Sequence, residues 1–395
     1  MILRTSYLNK LDAYRFCGLI KVIVGIRKCG KSTLMRQYIK KLQDENNDYN
    51  TIFINLNDFN TREKINNKKE LNKYIEEKLL KDKKNFVFID EVQEIPEFEI
   101  VLNSLSDHEN VDIYVTGSNS KLLSSEISTL LTGKNIVINV YPLVFSELCN
   151  KTDNNIKEKF DDFFKYGGMP GRLKFTQEEN IHEYLNMIYS DILRKDILAR
   201  NKVFEISELT NIYYFIFDNL GKELSYKNIY EINKRNGCSL SQMSIIKYVE
   251  LLLDCFLIQK VNKYDLSGLK LMENLYKYYP QDFGMRNAIF KNLWNNRGKI
   301  LENIVLNELK YRGYQVFIGT SRIINEIDFV AKKGNEILYI QVTENLSSEN
   351  LEREISPFSK IKDGNKRLLL SMEELENIDE NGIHYKNIVN WLLGK

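Results

Sequence analysis

Residues that punctuate or staple a chain are scarce here. Five prolines in 395 residues, and no run rich in glycine and serine, leave no linker to mark domain boundaries. The five cysteines (Cys17, Cys29, Cys149, Cys238, Cys255) are odd in number and scattered, with no C-x-x-C pair. That excludes a disulfide framework and a cysteine zinc site, and it fits reduced thiols. Three distant histidines, His108, His182 and His384, offer no metal cluster either. No apolar run approaches the roughly 18 residues needed to span a bilayer. The opening Met1 to Lys10 lacks the basic, apolar and small-residue succession of a secretory signal. A soluble, cytoplasmic protein with no membrane partner is expected. An excess of one charge is also missing: 56 Lys and Arg stand against 54 Asp and Glu, which excludes a globally basic nucleic-acid coat. By segment the net charge is +1 over residues 1–150, −1 over 151–199, +5 over 200–299 and −3 over 300–395, so the third segment is the candidate for phosphate backbones.

What is present is a well-mixed globular composition, 43% hydrophobic and 28% charged, long enough for two or three domains. Residues 19–140 alternate short apolar runs with polar stretches of helix length. Leu19–Val24, Thr51–Asn55, Phe86–Ile89, Val111–Val115 and Ile136–Val140 read as buried strands, an alternation that predicts a parallel sheet covered by helices. Residues 141–219 read as a helical connector, with amphipathic stretches such as Ile181–Leu198. Residues 220–296 read as short helices, Ser225–Lys234 and Ser241–Cys255, followed by a hairpin beginning Phe256–Lys263. From 297 to 395 the pattern is helix, three strands, helix, strand. The fold class expected is α/β: a core over 1–140, a helical connector, a winged-helix module and a C-terminal α/β domain.

The segment Gly25-Ile26-Arg27-Lys28-Cys29-Gly30-Lys31-Ser32-Thr33 matches G-x-x-x-x-G-K-[ST], with an apolar strand before it and a helix-compatible Lys31–Leu42 after it. Its backbone N–H groups can curl around nucleotide phosphates at a helix N-terminus. Lys31 would neutralise the β- and γ-phosphates of ATP, and Ser32 would place an oxygen on Mg²⁺. The strand Asn85–Ile89 ends in Asp90-Glu91, which in P-loop ATPases supplies a carboxylate for the Mg²⁺ shell and an acid that polarises the attacking water. Val111–Val115 is followed by Thr116-Gly117-Ser118-Asn119. Asn119 and Ser118 are candidates to hydrogen-bond the γ-phosphate or the water, although either could cap the following helix. Catalytic candidates are therefore Lys31, Asp90, Glu91 and Asn119. Metal candidates are Ser32 and Asp90.

The helix-helix-hairpin of the middle region is a DNA-reader arrangement, and its +5 charge is compatible with branched or single-stranded DNA. Yet the second helix offers only Lys247 as a base, where a reading helix presents several. Packing or protein contact is the competing use. In the last segment, Glu302 on the helix Lys299–Tyr311 and Asp328 on a strand stand where a two-metal nuclease places its acids. Gln341 and Thr343, however, occupy the positions of the second acid and the lysine. A neutral amide is a poor Mg²⁺ anchor, so an inactive domain is expected, with an ATP-regulated nuclease as the lower-ranked alternative.

Together the Walker strings, Thr116-Gly117-Ser118, Tyr166-Gly167-Gly168-Met169-Pro170 and Lys277-Tyr278-Tyr279-Pro280-Gln281-Asp282-Phe283-Gly284-Met285-Arg286 resemble one family over nearly the whole chain. It is the group of bacterial and archaeal AAA-type P-loop ATPases whose C-terminal domain of unknown function is related to PD-(D/E)XK nucleases. The resemblance implies ATP binding and hydrolysis, a polar sensor on the strand between the two Walker motifs, and a Gln-Val pair at 341–342 in place of the acid. Where the family often carries an arginine, this chain has Lys134, which lacks the planar fork; Arg172, Arg194 and Arg200 are the alternative sources of a late positive charge. The resemblance leaves open whether the hydrolysis couples to DNA, to a homo-oligomer or to a protein partner in an ATP-gated switch.

Overall fold

The computed structural model describes all residues except 1, 47, 120–130, 132, 150–152, 200–205, 268–269, 291–296, 322–325, 347, 362, 374–378 and 381. Arg200, which the sequence reading uses, lies outside the described residues. Where the sequence pattern suggests four segments (1–140, 141–219, 220–296 and 297–395), the chain divides into two compact units. One is Met1–Tyr141 with Asp254–Phe256, and the other is Pro142–Leu253 with Leu257–Lys395.

In the first unit, β1 (Ile20–Val24), β2 (Asn50–Asn55), β3 (Asn85–Asp90), β4 (Val111–Gly117) and β5 (Asn135–Asn139) form one parallel sheet in the order β2-β3-β4-β1-β5. Every residue of β1, β3 and β4 is buried, as expected for parallel strands covered on both faces. The pleat sorts their side chains. Val22, Val24, Val87, Ile89, Ile113 and Val115 join one aliphatic core. The other face presents aromatics, with Phe88 stacked on Tyr114 at 4.8 Å and Tyr38 edge-on to Phe88 at 6.2 Å. Tyr38 comes from the helix Lys31–Glu45, whose buried stripe Leu34, Tyr38 and Leu42 follows the i, i+4, i+8 spacing of one helix face. Burial of each such side chain stabilises the unit by about 1.5–3 kcal/mol. An ion pair also lies on this face. Lys21 and Asp112 are 0% and 3% exposed and bonded to each other, and Asp112 Oδ2 accepts from Tyr114 Oη at 2.7 Å. Those extra hydrogen bonds offset the desolvation of the two charges.

The second unit begins with helices Phe145–Leu148, Ile156–Tyr166 and Glu178–Asp191, the last continuing as a π-helical segment Ile192–Leu198, and then Ile206–Asp218. The helices Tyr226–Arg235 and Gln242–Asp254 follow, with Ser225 Oγ and Ser241 Oγ accepting from Asn228 N and Ser244 N at 3.0 and 3.2 Å at their starts. Among the described residues nine strands make the sheet: β6 (Glu223–Leu224), β7 (Ile258–Asp265), β8 (Lys270–Pro280), β9 (Gln315–Thr320), β10 (Ile327–Lys333), β11 (Glu336–Val342), β12 (Lys366–Ser371), β13 (Asp379–Glu380) and β14 (Ile383–Asn387). Their order is β13-β14-β12-β11-β10-β9-β7-β8-β6. In the hairpin β7–β8, β7 also pairs in parallel with β9 and carries the sheet across the boundary read at residue 296. After that boundary the order is helix Arg297–Tyr311, antiparallel β9–β10–β11, helix Ser348–Ser359, and β12 parallel to β11. One core joins Phe160, Phe163 and Phe283 to Ile304, Phe329, Ile340 and Trp391.

Two glycine strings meet in this unit. Asp282 caps the helix Phe283–Ile289 through Met285 N at 3.1 Å and also accepts Gly168 N at 2.8 Å. A Cβ on Gly168 would lie 2.0 Å from Leu143 O, and one on Gly284 would lie 2.0 Å from Tyr166 O. The Tyr-Gly-Gly and Asp-Phe-Gly strings thus hold two backbone segments in direct contact. Burial pushes the Asp282 carboxyl up to about 6, against the opposing effect of its backbone donors.

Candidate nucleotide site and a second polar cluster

The loop Gly25–Gly30 runs from the C-terminal end of β1 to the helix Lys31–Glu45. Gly25 has φ +154°, and a Cβ there would lie 2.2 Å from Val140 O, so only glycine lets the loop leave the sheet beside β5. Lys28 (φ +68°) and Gly30 (φ +106°) bend the backbone into the left-handed region twice within three residues. Such alternation makes an anion-binding concavity of N–H groups. Lys31 is 4% exposed and folds back over the loop, its Nζ donating to Gly25 O at 2.8 Å and Ile26 O at 3.1 Å. Arg4 braces the outside of the loop by donating to Cys29 O at 3.4 Å and Tyr141 O at 2.9 Å.

Because β4 lies between β1 and β3, three motifs open at one end of the sheet. Ser32 Oγ donates to Asp90 Oδ1 at 3.0 Å, and Thr116 Oγ1 donates to the same oxygen at 2.6 Å. Thr116 Oγ1 also accepts the Glu91 N–H at 2.9 Å. Glu91 sits in the left-handed region at φ +59°, and Gln93 Nε2 donates to its carboxylate. Strain of that kind concentrates where surrounding structure over-determines a functional turn. Burial pushes the Asp90 carboxyl above the usual range, opposed by the Thr116 and Ser32 hydroxyls. The structure brings Lys31, Ser32, Asp90 and Glu91 together, while Ser118 and Asn119, 0% and 6% exposed, follow directly on β4. Thr116 is the residue that sequence reasoning passed over; its signal was a hydroxyl at the last pleat of the strand neighbouring Asp90.

Cys29 is fully buried, donates to Val140 O at 3.3 Å, and has its thiol pushed up by burial, the opposite of a reactive cysteine. Lys134 precedes β5, where its carbonyl accepts Ile20 N, and its ammonium pairs with Asp107 at 2.7 Å. That is the opposite end of β1 from the loop, roughly 15 Å away at the rise of a strand, so Lys134 does not serve its own chain's site. Arg172 is 2% exposed and donates to Gly167 O and Asp162 Oδ2, both at 2.7 Å, in a structural clamp. Arg194 is exposed on the π-helical segment.

In the second unit a polar cluster gathers around Glu302 and Asp328. Glu302, 4% exposed, accepts from Lys299 Nζ at 2.7 Å and Tyr279 Oη at 3.1 Å. Lys277, 2% exposed, pairs with Glu326. Burial, reinforced by Glu302, pushes the Asp328 carboxyl up to about 8, with Lys277 and Lys299 opposing. The sequence reading found the two acids but neither lysine, because Lys277 arrives from β8 only through the β7–β9 pairing.

A five-stranded parallel sheet with a phosphate loop after its fourth-placed strand and paired carboxylates after its second-placed strand defines a P-loop ATPase of the AAA type. An AAA domain family (AAA_14) matches residues 18–149, and a domain of unknown function (DUF8612) matches residues 157–295. The chain is 32% identical to an uncharacterized protein of Haemophilus influenzae, covering 100% of this chain and 99% of that protein. It is also 32% identical to the uncharacterized protein MJ1544 of Methanocaldococcus jannaschii over 87% of this chain and 79% of that one. The chain belongs to the same family as these two proteins. Among solved structures it resembles the Walker-type ATPase paby2304 of Pyrococcus abyssi, with TM-score 0.51 and 15% identity over 73% of this chain and 96% of that one, a likeness of fold alone. Among the described residues no helix is long and apolar enough to cross a membrane.

Proposed function

We propose that the protein binds Mg-ATP and hydrolyses it to ADP and phosphate. The observation that carries this reading is the convergence of Ser32, Thr116 and the Glu91 N–H around the Asp90 carboxylate beside the phosphate loop. Mg²⁺ fits there, because a hydroxyl and a carboxylate already face each other as hard oxygen donors; Ser32 and Asp90 would hold it. When bound, the ion neutralises charge on the β- and γ-phosphate oxygens. The N–H groups of residues 25–33, Gly25, Ile26, Arg27, Lys28, Cys29, Gly30, Lys31, Ser32 and Thr33, would receive the phosphates. Lys31 exchanges its two loop carbonyls for phosphate oxygens. Glu91 orients the attacking water and accepts its proton as the bond to the leaving ADP oxygen breaks, and Asn119 hydrogen-bonds the γ-phosphate or that water.

The coupled partner is the finer part of the reading. DNA binding through a winged-helix and nuclease-like half is supported by the +5 charge of residues 200–299 and by the helix-strand order after residue 297. The alternative, an ATP-gated protein-interaction switch in a homo-oligomer or with another protein, is favoured by the helix Gln242–Asp254. Its exposed positions are Ser241, Gln242, Met243 and Lys247, with Lys247 the one base. Steady-state ATP hydrolysis with and without single-stranded, duplex and branched DNA separates these readings, with Lys31→Ala and Glu91→Gln as controls. Stimulation by one DNA form supports coupling to it, whereas turnover indifferent to DNA supports the switch. Absence of any turnover sensitive to these two substitutions refutes the ATPase assignment.

A further inference from the structure

The acid cluster belongs to the second unit and the nucleotide site to the first. The nuclease resemblance implies a Mg²⁺ ion between Glu302, Asp328 and residue 341, and the donor set does not fit one. Position 341 is a neutral amide whose Oε1 already accepts the Asp328 N–H at 2.8 Å. Asp328 Oδ2 accepts the Val342 N–H at 2.9 Å. Both oxygens of Glu302 are engaged, Oε1 by Lys299 Nζ at 2.7 Å and Oε2 by Tyr279 Oη at 3.1 Å. Among the described residues no group of three or more His, Cys, Asp or Glu is arranged to hold a metal ion. Mg²⁺ demands several free oxygen ligands in near-octahedral array, and here three of the four carboxylate oxygens of Glu302 and Asp328 already accept protein donors, while Lys299 pairs with Glu302 and Lys277 with the adjacent Glu326.

We infer that Lys277 and Lys299 have taken the place of a metal ion, making this pocket a metal-free ionic seam between β8, the helix Arg297–Tyr311, β10 and β11. Lys277 and Tyr279 are two residues apart on β8, so they share one face of the strand and reach Glu326 and Glu302 together. That gives the lysine and second tyrosine of the Lys-Tyr-Tyr string a physical reason. Gly221 backs the seam closely: at φ +66°, a Cβ there would lie 2.8 Å from Lys299 Cδ and 3.2 Å from Glu302 Oε2. A buried carboxylate pair needs compensating charge. Lysines supply it permanently, without the open coordination positions that activate water in a nuclease.

The test is Mn²⁺ binding, read by loss of the free-ion signal in electron paramagnetic resonance. The full-length Asp90→Asn protein is used without nucleotide, so that the phosphate-loop site contributes nothing. The expected result is no bound Mn²⁺ in this protein and a bound ion once Gln341→Glu supplies the missing acid and Lys277→Met and Lys299→Met are added, lost again with Asp328→Asn. Should that combination not fold, Gln341→Glu with Lys299→Met, at a side chain 36% exposed, must also gain Mn²⁺ binding. Mn²⁺ bound before any lysine is removed, and abolished by Asp328→Asn, would overturn the inference. So would folded lysine variants that gain none.

Discussion

Replacing Thr116 by valine tests the assembly of the nucleotide site with a single oxygen atom. Valine keeps the β-branched shape at a fully buried position on β4 and removes the hydroxyl. Two interactions go with it: the donor to Asp90 Oδ1 at 2.6 Å and the acceptor for the Glu91 N–H at 2.9 Å. A buried N–H left without a partner costs about 1–3 kcal/mol, and a hydrogen bond to a charged group is worth about 1.5–3 kcal/mol. The two share one hydroxyl and do not add fully, so a destabilisation of about 2–4 kcal/mol is expected in urea denaturation. Asp90 and Glu91 would lose their common anchor, and a displacement of order 1 Å in a reacting group lowers turnover about 100-fold.

A structural defect alone would not shift the acid limb of the pH–rate profile, which makes that limb the deciding measurement. The Thr116 hydroxyl holds the Asp90 carboxyl down against the burial that raises it. Its loss raises that carboxyl further, and activity should then fall at a higher pH as acid is added. The Mg²⁺ concentration for half-maximal activity should rise together with it. Thr116→Ser, which keeps the hydroxyl, should restore both. Unchanged turnover, Mg²⁺ dependence and acid limb in a folded Thr116→Val protein would refute the reasoning.

Gly25→Ala should abolish nucleotide binding in an equilibrium assay with a fluorescent ATP analogue, since the added Cβ meets Val140 O at 2.2 Å. For Asp282, the folded-state carboxyl at about 6 lies above its ordinary 3.8, so ionisation opposes folding. Its contribution is absent below about pH 4 and costs about 3 kcal/mol once the pH has risen past 6. Asp282→Asn should remove that part of the pH dependence in urea melts, and an unaltered profile would count against it. Thiol modification followed by mass spectrometry should label exposed Cys17 well before buried Cys29, and ATP should not be needed to protect Cys29.

Local signals were legible where one short segment carries both the chemistry and the conformation. The phosphate loop needs its glycines, lysine and serine in a single run, and the apolar strands of the first unit declare themselves because parallel strands are buried on both faces. Each expected strand there appears within two residues of its reading. Thr116 was missed because its role depends on which neighbour β4 takes and which way the pleat turns its penultimate residue. The hairpin arm β7 is also sheet interior, because it pairs with a strand that begins 50 residues after β7 ends. No local pattern announces such a pairing.

By itself, then, the sequence determined the parallel five-stranded core, its phosphate loop and the carboxylate pair that follows β3, since periodicity and contiguous motifs encode those directly. Only the tertiary structure decided that β4 inserts between β1 and β3, that Thr116 ties Asp90 to the Glu91 backbone, and that Lys277 from β8 pairs with Glu326 beside the Lys299–Glu302 pair. The physical reason is the same in each case. Strand order, register and charge compensation across a sheet are set by side chains far apart along the chain, whose energies exist only once the strands have paired.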